Sequence, residues 1–265
     1  MSKKRADLLL FEKGLVESRE KGKRLIMEGV VFIGTKRIDK PGDSIDENEE
    51  ITIKSNPLIY VSRGGLKLEK AIEYFDLELD NVIAMDIGAS TGGFTDCMLK
   101  NGAVKVYALD VGYNQLDWKL RSDSRVVVME RTNIRNITKD DIKDDIDFIS
   151  IDVSFISLRL VLPVAKDLLN ENGQIVALIK PQFEAGREKV GKKGIVRDKD
   201  THIEVINKIV EFCNEIGLVP SSLTFSPVTG ATGNIEFLIY LKKHGTSFGQ
   251  ELIQKTIDEA HNTLK

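Results

Sequence analysis

The sequence predicts an α/β protein, in which a Rossmann-like, seven-stranded sheet follows a small α+β unit. Three observations favour this fold class. From residue 66 onward, short apolar runs alternate with helical patterns, as in a doubly wound, mainly parallel sheet. A segment of about 56 residues with a different pattern, basic over residues 1–40, comes first. The chain has 265 residues, which is enough for one large and one small domain.

The first 56 residues predict two helices followed by two strands. One helix spans about Ala6–Lys13 and ends at Gly14, and the second runs from the N-cap Ser18 to about Glu28, before Gly29. The runs VVFIG and ITIKS are typical of strands, and a polar stretch with a Pro-Gly turn joins them. The predicted organisation is a small domain, a linker and a large domain at residues 1–56, 57–62 and 63–265.

Seven apolar runs predict the strands of the large sheet, at about Val82–Asp86, Lys105–Asp110, Arg125–Met129, Phe148–Asp152, Gln174–Ile179, Ser222–Phe225 and Glu236–Leu241. Helical patterns precede or separate them, at about Leu66–Phe75, Phe94–Asn101, Leu158–Leu169 and Thr201–Ile216. The segment SPVTGATGNI between the last two strands is too short for a helical crossover. We therefore expect those two strands to pair antiparallel.

Charge is divided unevenly along the chain. Residues 1–40 contain 11 Lys/Arg and 6 Asp/Glu, whereas the remainder contains 27 and 35. A basic head on an acidic body favours a polyanionic partner, although a solvated charged face has the same composition. No apolar run approaches the roughly 18 residues of a membrane-spanning helix, and Glu12 and Lys13 interrupt any signal-peptide pattern. With only two, widely separated cysteines, we expect a cytoplasmic protein without a bound metal.

The segment DIGASTGGFTD, which begins at Asp86, predicts a cofactor-binding loop. Ligands of such sheets bind beyond the carboxyl ends of the strands, and glycine lets the backbone come close to a ligand. Gly88, Gly92 and Gly93 supply that freedom directly after the first strand of the large sheet. Asp110 ends the next strand, where an acid is placed to hold two ribose hydroxyls.

The glycine spacing favours S-adenosylmethionine over the other nucleotide cofactors. The pattern is G-x-x-x-G-G rather than the dinucleotide pattern G-x-G-x-x-G, and no lysine occupies the P-loop position. Asp86 at the loop entrance would repel a pyrophosphate but suits the amino acid end of S-adenosylmethionine. A dinucleotide, or a glycine turn with a structural role alone, is the alternative.

Three charged residues lie where apolar strands begin or end. Asp152 ends FISID, Lys180 ends VALIK, and Glu236 begins EFLIYL. Parallel strands bring Asp152 and Lys180 to the cofactor edge, and an antiparallel last strand brings Glu236 to the same edge. Buried charges are costly unless they are paired or used. A single such residue is typical of a salt bridge, but three beside a cofactor loop favour catalysis.

These residue types suit methyl transfer to a hydroxyl group. A ribose hydroxyl becomes a nucleophile when its proton is removed or strongly polarised. Lys180 is the candidate for this step, and Lys67 in SRGGLKLEK is a second lysine whose charge would depress the pKa of Lys180. Asp152 and Glu236 would hold the lysines in place, but their charges raise a lysine pKa. The sequence leaves the balance of these effects open.

The order Lys67, Asp152, Lys180, Glu236 resembles the K-D-K-E tetrad of the FtsJ-like ribose 2′-O-methyltransferases. The phrases YVSRGGLKL, DIGASTGGFTD, ALDVGYNQL, SIDVSFISL, LIKPQFE and SPVTGATGNIEFL resemble the TlyA family, and the N-terminal segment is similar to the RNA-binding fold of ribosomal protein S-four. The resemblance covers nearly the whole chain. It implies S-adenosylmethionine-dependent methylation of cytidine in ribosomal RNA, with ribosomal subunits as partners.

The resemblance also assigns binding residues by position. It implies that the donor pocket is lined at its methionine and ribose end by Gly88, Ser90, Thr91, Gly92 and Phe94. Asp110 would hold the ribose and Asn133 would approach the adenine, although an Asn after a strand is also typical of a turn. Candidate phosphate contacts of the small domain are Arg5, Arg19, Lys23, Lys36 and Arg37. A solvated surface charge is the alternative for each of these five.

Three other functions stay open on the sequence alone. One is a ribosome-binding protein whose methyltransferase activity is vestigial, which an intact tetrad disfavours. Another is a membrane-lytic haemolysin, the name that many family members carry, although the chain lacks a marked amphipathic stretch. The third is a base N-methyltransferase. Enzymes that methylate exocyclic amines usually carry an Asn/Asp-Pro-Pro-aromatic motif after the fourth strand, where this chain has DVSF.

Overall fold

A computed structural model describes residues 3–27, 29–53, 59–230 and 232–264. The chain divides into two compact units, Met1–Ile59 and Tyr60–Lys265. Residues 57 and 58 of the expected linker lie outside the described residues, as do Glu28, Lys54 and Ser55, where a helix and a strand were expected to end. Residues 60–62 of that linker lie in the second unit.

The first unit contains helices and short strands in the order β1 (Lys3–Arg5), α1 (Ala6–Glu12), α2 (Arg19–Met27), β2 (Val31–Ile33), β3 (Lys36–Arg37), β4 (Ser44–Asp46) and β5 (Ile51–Ile53). The two helices and the antiparallel pair β2–β5 confirm the elements predicted from the sequence. β3 extends this pair to three strands, and β1 pairs with β4 separately. β1, β3 and β4 have two or three mostly polar residues, KKR, KR and SID, so no apolar run in the sequence predicted them.

The second unit consists of a sheet with helices on both faces. Its strands are β6 (Ile83–Ile87), β7 (Lys105–Leu109), β8 (Val126–Met129), β9 (Ile146–Ile151), β10 (Leu169–Ile179), β11 (Val219–Phe225) and β12 (Phe237–Lys242). Its α-helices are α3 (Gly64–Phe75), α4 (Gly93–Lys100), α5 (Trp118–Arg121), α6 (Leu162–Leu168), α7 (Pro181–Glu184), α8 (Lys199–Glu215) and α9 (Gln250–Thr263). Short 3-10 helices lie at Ile134–Asn136, Lys139–Asp141, Leu158–Leu160 and Arg187–Lys189.

The strand order of the large sheet is β11-β12-β10-β9-β6-β7-β8. β12 runs antiparallel to both of its neighbours, and the other paired strands are parallel. This order confirms the Rossmann-like seven-stranded sheet and its antiparallel last pair. The chain proceeds from β6 toward β7 and β8 on one side, and returns to place β9 and β10 on the other. The switch point, where ligands bind in such sheets, therefore lies between β6 and β9.

Alternating side chains bury both faces of the sheet. Met85 and Ile87 of β6 pack on the face covered by α6, α8 and α9, whereas Ala84 packs on the face covered by α3 and α4. The helix expected at Leu158–Leu169 is divided into a 3-10 turn and α6, with Pro163 in the first turn of α6. Proline favours a helix start because it has no N–H group to leave unpaired.

Gly65 of α3 provides a test of this packing. A Cβ at this position would lie 2.3 Å from Cγ of the buried Tyr60. Alanine normally favours a helix over glycine by up to about 1 kcal/mol, but we expect Gly65→Ala to lower the free energy of unfolding by about 1–3 kcal/mol through this clash. Urea unfolding measures the difference.

Gly249, the N-cap of α9, is the matched control. Among the described residues, no heavy atom beyond its chain neighbours lies within 4 Å of a Cβ built there. Gly249→Ala therefore causes no clash and should lower the free energy of unfolding only by the N-cap preference for glycine over alanine, about 0.5–1 kcal/mol. An unfolding midpoint of Gly65→Ala at or above that of the parent protein would contradict the packing.

Candidate functional site

The loops after β6 and β9 touch at the switch point of the sheet. Gly88 has a φ of 90°, and a Cβ there would lie 2.5 Å from the backbone carbonyl oxygen of Asp152. The backbone N–H of Asp152 donates to the carbonyl of Ile87 at 2.9 Å, which continues the contact of the two strands. Gly88 is therefore required by the meeting of the two strand ends, whatever binds beyond them.

The four residues of the expected tetrad come together at this edge. Nζ of Lys180 lies 2.6 Å from Oδ1 of Asp152 and 2.9 Å from Oγ of Ser154. Nζ of Lys67 lies 2.8 Å from Oε2 of Glu236 and 3.5 Å from Oδ2 of Asp152. Asp152 thus stands between two lysines that are contributed by α3 and by the end of β10.

The tetrad is largely shielded from water. Lys67, Lys180 and Glu236 are 9%, 8% and 2% exposed. Burial lowers the pKa of Lys67, but the charges of Asp152 and Glu236 outweigh this effect and leave that pKa above its usual value. Burial raises the pKa of Asp152, whereas Lys67 and Lys180 together hold it below its usual value. Asp152 is therefore ionised and Lys67 protonated at neutral pH.

Glu236, the fourth residue of the tetrad, fits beside Lys67 because Gly230 has no side chain. A Cβ at Gly230 would lie 2.5 Å from Oε1 of Glu236. The same oxygen accepts a long hydrogen bond, 3.4 Å, from Nε2 of Gln182. Glu236 is thereby bound by Gln182 through Oε1 and by Lys67 through Oε2.

A polar cavity of about 200 Å³ lies in front of the tetrad. Asp152 and Lys180 line it together with the glycine loop, whose lining residues are Gly88, Ala89, Ser90, Thr91, Gly93 and Phe94. Ser62 and Ser154 complete the polar part of the wall. The expected residues Gly88, Ser90, Thr91 and Phe94 therefore share one cavity with two of the four catalytic candidates.

A second cavity of about 430 Å³ continues from the first, since both are lined by Gly88, Ser90, Asp152 and Ser154. Its wall is mainly apolar, with Ile134, Val153 and Ile156 among its residues. Asp110 and Asn133 also line it, as expected. A volume of this size is typical of a small-molecule site.

Asp110 joins the two loops that border the second cavity. Its Oδ2 accepts from the backbone N–H of Ser90 at 2.8 Å, and its Oδ1 accepts from the N–H of Gly112 at 2.7 Å. Each carboxylate oxygen has a further acceptor direction. Oδ1 of Asn133 accepts from the N–H of Arg135 at 3.1 Å, so Asn133 begins a 3-10 turn as well as lining the cavity.

Two expected cofactor residues lie beneath the loop, outside the lining of the two cavities described above. Asp86 is fully buried, and its Oδ2 accepts from both the N–H (2.9 Å) and the hydroxyl (2.7 Å) of Thr95. Gly92 has a φ of 94°, and a Cβ there would lie 2.2 Å from Cδ1 of Leu120. Both residues support the loop from below, and a direct contact of either one with a donor stays a prediction.

Sequence reasoning missed two residues that fasten the site. Ser154 binds Lys180 directly. Glu184 accepts from the hydroxyl of Ser157 and from the N–H of Leu158, both at 2.7 Å, so it ties the chain after β10 to the chain after β9. Burial raises the pKa of Glu184. An acid at the end of LIKPQFE, four residues after Lys180, was the available signal.

In the first unit, the structure brings Arg5 and Arg19 together. Nε of Arg5 lies 3.0 Å from Oδ1 of Asp7, and Nε of Arg19 lies 3.1 Å from Oδ2 of the same residue. The other three candidates for RNA contacts do not join this pair through a described ion pair. Lys36 and Arg37 are neighbours on β3, and Lys23 pairs with a glutamate on its own helix.

The described residues show neither a metal cluster nor a membrane span. In those residues, no group of three or more His, Cys, Asp or Glu side chains is arranged to hold a metal ion. Within the same part of the chain, the helices are too short or too polar to cross a bilayer.

Comparison with known proteins identifies the family. Residues 60–243 match the model of the FtsJ-like methyltransferases. The chain belongs to the FtsJ-like methyltransferase family. Residues 4–51 match the S4 domain, so this methyltransferase carries an S4 domain in its first unit.

Individual relatives extend over nearly the whole methyltransferase. It is 55% identical to YqxC of Bacillus subtilis (strain 168), with 99% of this chain and 96% of that protein covered. It is 37% identical to the 16S/23S rRNA (cytidine-2′-O)-methyltransferase TlyA of Mycobacterium tuberculosis (strain CDC 1551 / Oshkosh), covering 97% and 95%. A solved Streptococcus thermophilus structure that carries the name hemolysin aligns with a TM-score of 0.79 and 48% identity, covering 99% and 97%. The resemblance to the TlyA family is confirmed.

The pKa of the buried Asp86 predicts a pH-dependent stability. Burial raises this pKa to about 7, although Thr95 and Ser150 donate to the carboxylate. A carboxyl group whose folded pKa exceeds its unfolded value stabilises the protein below the unfolded pKa, and this contribution is lost as pH rises through the folded pKa. We expect the free energy of unfolding of the parent protein to fall, relative to Asp86→Asn, between about pH 4 and pH 7.

Urea unfolding of both proteins at several pH values measures this difference. The asparagine variant is the matched control, because its side chain has nearly the same shape and does not titrate. A difference between the two proteins that stays constant over this pH range would contradict the raised pKa of Asp86.

Proposed function

We propose that this protein transfers a methyl group from S-adenosylmethionine to the ribose 2′-hydroxyl of a cytidine in ribosomal RNA. The observation that carries the proposal is the position of Asp152 between two lysines, Lys67 and Lys180, beside the glycine loop. A hydroxyl acceptor has a proton that must be removed or polarised, and this arrangement supplies a basic nitrogen at the cavity wall.

The two cavities fit the parts of S-adenosylmethionine. The polar cavity at the glycine loop suits its charged amino acid end, and the apolar wall at Ile134 and Ile156 suits its adenine. Asp110 retains acceptor directions for the ribose hydroxyls, and Asn133 borders the adenine part. When bound, S-adenosylmethionine supplies a sulfonium methyl that is already activated for displacement.

Lys180 takes the proton of the ribose hydroxyl in this proposal. A neutral lysine amine has two N–H donors and one lone pair. Oδ1 of Asp152 and Oγ of Ser154 lie where they accept the two N–H bonds of Lys180. The lone pair is left for the hydroxyl proton at the cavity. Nζ would take that proton as the ribose oxygen bonds to the methyl carbon of the donor, whose bond to the sulfonium sulfur breaks and releases S-adenosylhomocysteine.

Lys67 and Glu236 act from behind this pair. The raised pKa keeps Lys67 protonated, so its charge keeps Asp152 ionised and fixed in orientation. Glu236 offsets the charge of Lys67 at 2.8 Å.

Ribosomal RNA as the substrate is supported by the S4 domain and by the name of the TlyA relative. We propose that residues 1–56 form an RNA-binding domain, joined through residues 57–62 to a methyltransferase domain at 63–265. Ribosomal subunits in the cytoplasm would be the partners. The matched S4 segment contains all five candidate phosphate contacts, Arg5, Arg19, Lys23, Lys36 and Arg37.

The alternative of base methylation receives less support from the site. Exocyclic amine methyltransferases usually carry their proline motif at the segment that reads DVSF here. In this segment Ser154 binds Lys180, and Asp152 binds both Lys67 and Lys180. Its polar side chains therefore bind the lysines of the tetrad. The complete pairing of the tetrad likewise supports catalysis over a vestigial site.

The first prediction from this proposal concerns Lys180. With tritiated S-adenosylmethionine and separate 30S and 50S ribosomal subunits, the parent protein should label at least one subunit. Lys180→Ala should lower the rate by a factor of about 100 or more, because it removes the proton acceptor. Donor affinity, measured by calorimetry, should change by less than about fivefold, since the loop and Asp110 remain.

Lys208→Ala is the matched control, because Lys208 is an exposed lysine of α8 that pairs with Glu204. Its rate should equal that of the parent protein. Labelling by Lys180→Ala at the parent rate would contradict the role of Lys180. Absence of labelling of either subunit by a parent protein that binds the donor would contradict the choice of substrate.

The second prediction concerns the modified atom. A 2′-O-methyl group blocks alkaline cleavage of the adjacent phosphodiester, because the attacking hydroxyl is gone. Alkaline hydrolysis of the labelled rRNA should therefore leave a gap after a cytidine. A continuous cleavage ladder together with label on an isolated base would contradict ribose methylation.

A further inference from the structure

We propose that Asp7 is a positioning residue for RNA binding, whose buried carboxylate holds the guanidinium groups of Arg5 and Arg19 in place for phosphate groups of the RNA. The inference rests on the proposed function of the first unit. It assigns a role in phosphate binding to a carboxylate, although the negative charge of a carboxylate by itself repels a phosphate group.

Asp7 binds Arg5 through both of its carboxylate oxygens and Arg19 through one of them. Oδ1 accepts from Nε of Arg5 at 3.0 Å, and Oδ2 accepts from Nη2 of Arg5 at 3.0 Å and from Nε of Arg19 at 3.1 Å. The pair with Arg5 is therefore bidentate, which fixes the plane of the guanidinium as well as its position. Asp7 itself has no exposed side-chain surface.

The two guanidinium groups keep donors for a ligand. The side chains of Arg5 and Arg19 are 50% and 46% exposed although both are paired. A guanidinium has five N–H donors, and the contacts to Asp7 occupy two on Arg5 and one on Arg19. The remaining donors of two adjacent guanidiniums suit phosphate oxygens.

The backbone that carries Asp7 is fixed by a neighbouring turn. The N–H of Asp7 donates to the carbonyl of Pro41 at 3.1 Å, and that of Ala6 donates to Asp43 at 2.9 Å. Gly42 leaves room for the arginine, because a Cβ there would lie 3.2 Å from Nη1 of Arg5. Asp7 thus anchors the arginines to a rigid part of the unit.

Asp7 preorganises the two arginine side chains for binding, which explains a carboxylate at this position. A free arginine loses rotamer freedom when it binds a phosphate, and this loss weakens binding. Asp7 removes much of that loss before binding, and the cluster of one carboxylate and two guanidiniums still has a net charge of +1. The hydrogen bond from Arg5, opposed by burial and reinforced by Arg19, lowers the pKa of Asp7, so the carboxylate stays ionised.

Asp39 offers a matched control in the same unit. It pairs with Arg37 through one contact of 2.6 Å, but its side chain is 61% exposed. An exposed pair holds an arginine weakly. Removing the charge of Asp39 therefore changes the electrostatics of the unit without removing a buried anchor.

The test measures binding of the full-length protein to salt-washed 30S and 50S ribosomal subunits by filter retention at several KCl concentrations. Asp7→Asn should lower the affinity by about tenfold, because two arginine side chains lose their anchor. Asp39→Asn should leave the affinity unchanged or raise it. An affinity of Asp7→Asn equal to or above that of the parent protein would overturn the inference.

A double-mutant cycle separates positioning from a folding defect. In an Arg5→Gln, Arg19→Gln background, Asp7→Asn should no longer lower the affinity, because there is nothing left to position. A further loss in that background would overturn the inference in favour of a structural role. An unchanged affinity of the arginine double variant would overturn it too, since these arginines would then not bind RNA.

Methylation kinetics distinguish this inference from the proposed function. With tritiated donor and the labelled subunit, Asp7→Asn should raise KM for that subunit and leave kcat unchanged. A lowered kcat at unchanged KM would overturn the positioning role. If the parent protein labels neither subunit, the proposed function fails, while the binding measurements still decide the role of Asp7.

Discussion

Two buried lysines share the carboxylate of Asp152, and this contact depends on the arrangement of the strands and loops of the second unit. Lys67 approaches from α3 and Lys180 from the end of β10. Asp152 lies between the two amine nitrogens and pairs with both, and a buried ion costs several kcal/mol of hydration unless it is paired. Glu236 also pairs with Lys67, at 2.8 Å. Separation of any partner would leave a buried charge uncompensated, so the surrounding elements must hold their positions closely.

The strand order supplies those positions. β9 and β10 are adjacent and parallel, so the residues that follow them reach the same edge, and the reversed β12 brings its first end to that edge as well. Gly88 lets the chain after β6 touch Asp152, and Gly230 leaves room for Glu236. Glu184 ties the chains that follow β9 and β10 together. The cavity at the glycine loop and the proposed acceptor site at Lys180 are therefore parts of one packed edge, which is what alignment of two reacting groups requires.

Local pattern predicted the large sheet and the convergence of Asp152, Lys180 and Glu236 at one edge. No such pattern marks Lys67, which lies in α3 and was indicated by the resemblance to the K-D-K-E tetrad. Apolar runs mark the strands, and a charge at the end of a buried run marks the edge where Asp152 and Lys180 lie. The location of Asp86 could not be predicted in this way, since its burial beneath the loop depends on donors from Thr95 and Ser150, which tertiary packing supplies. The same holds for the shortest strands of the first unit. α9 carries a helical pattern, with the buried Ile253 and Ile257 four residues apart, and is absent from the elements predicted from the sequence.

The measurement that tests the account most directly replaces the proposed acceptor group. An rRNA fragment that the protein methylates is synthesised with 2′-deoxycytidine at the modified position, and methyl transfer is followed with tritiated donor. The account predicts that transfer to this position is abolished while the fragment still binds, because Lys180 then has no hydroxyl proton to accept. Transfer to the deoxy fragment at the rate of the unmodified RNA would contradict it, since the methyl group would then be placed on the base.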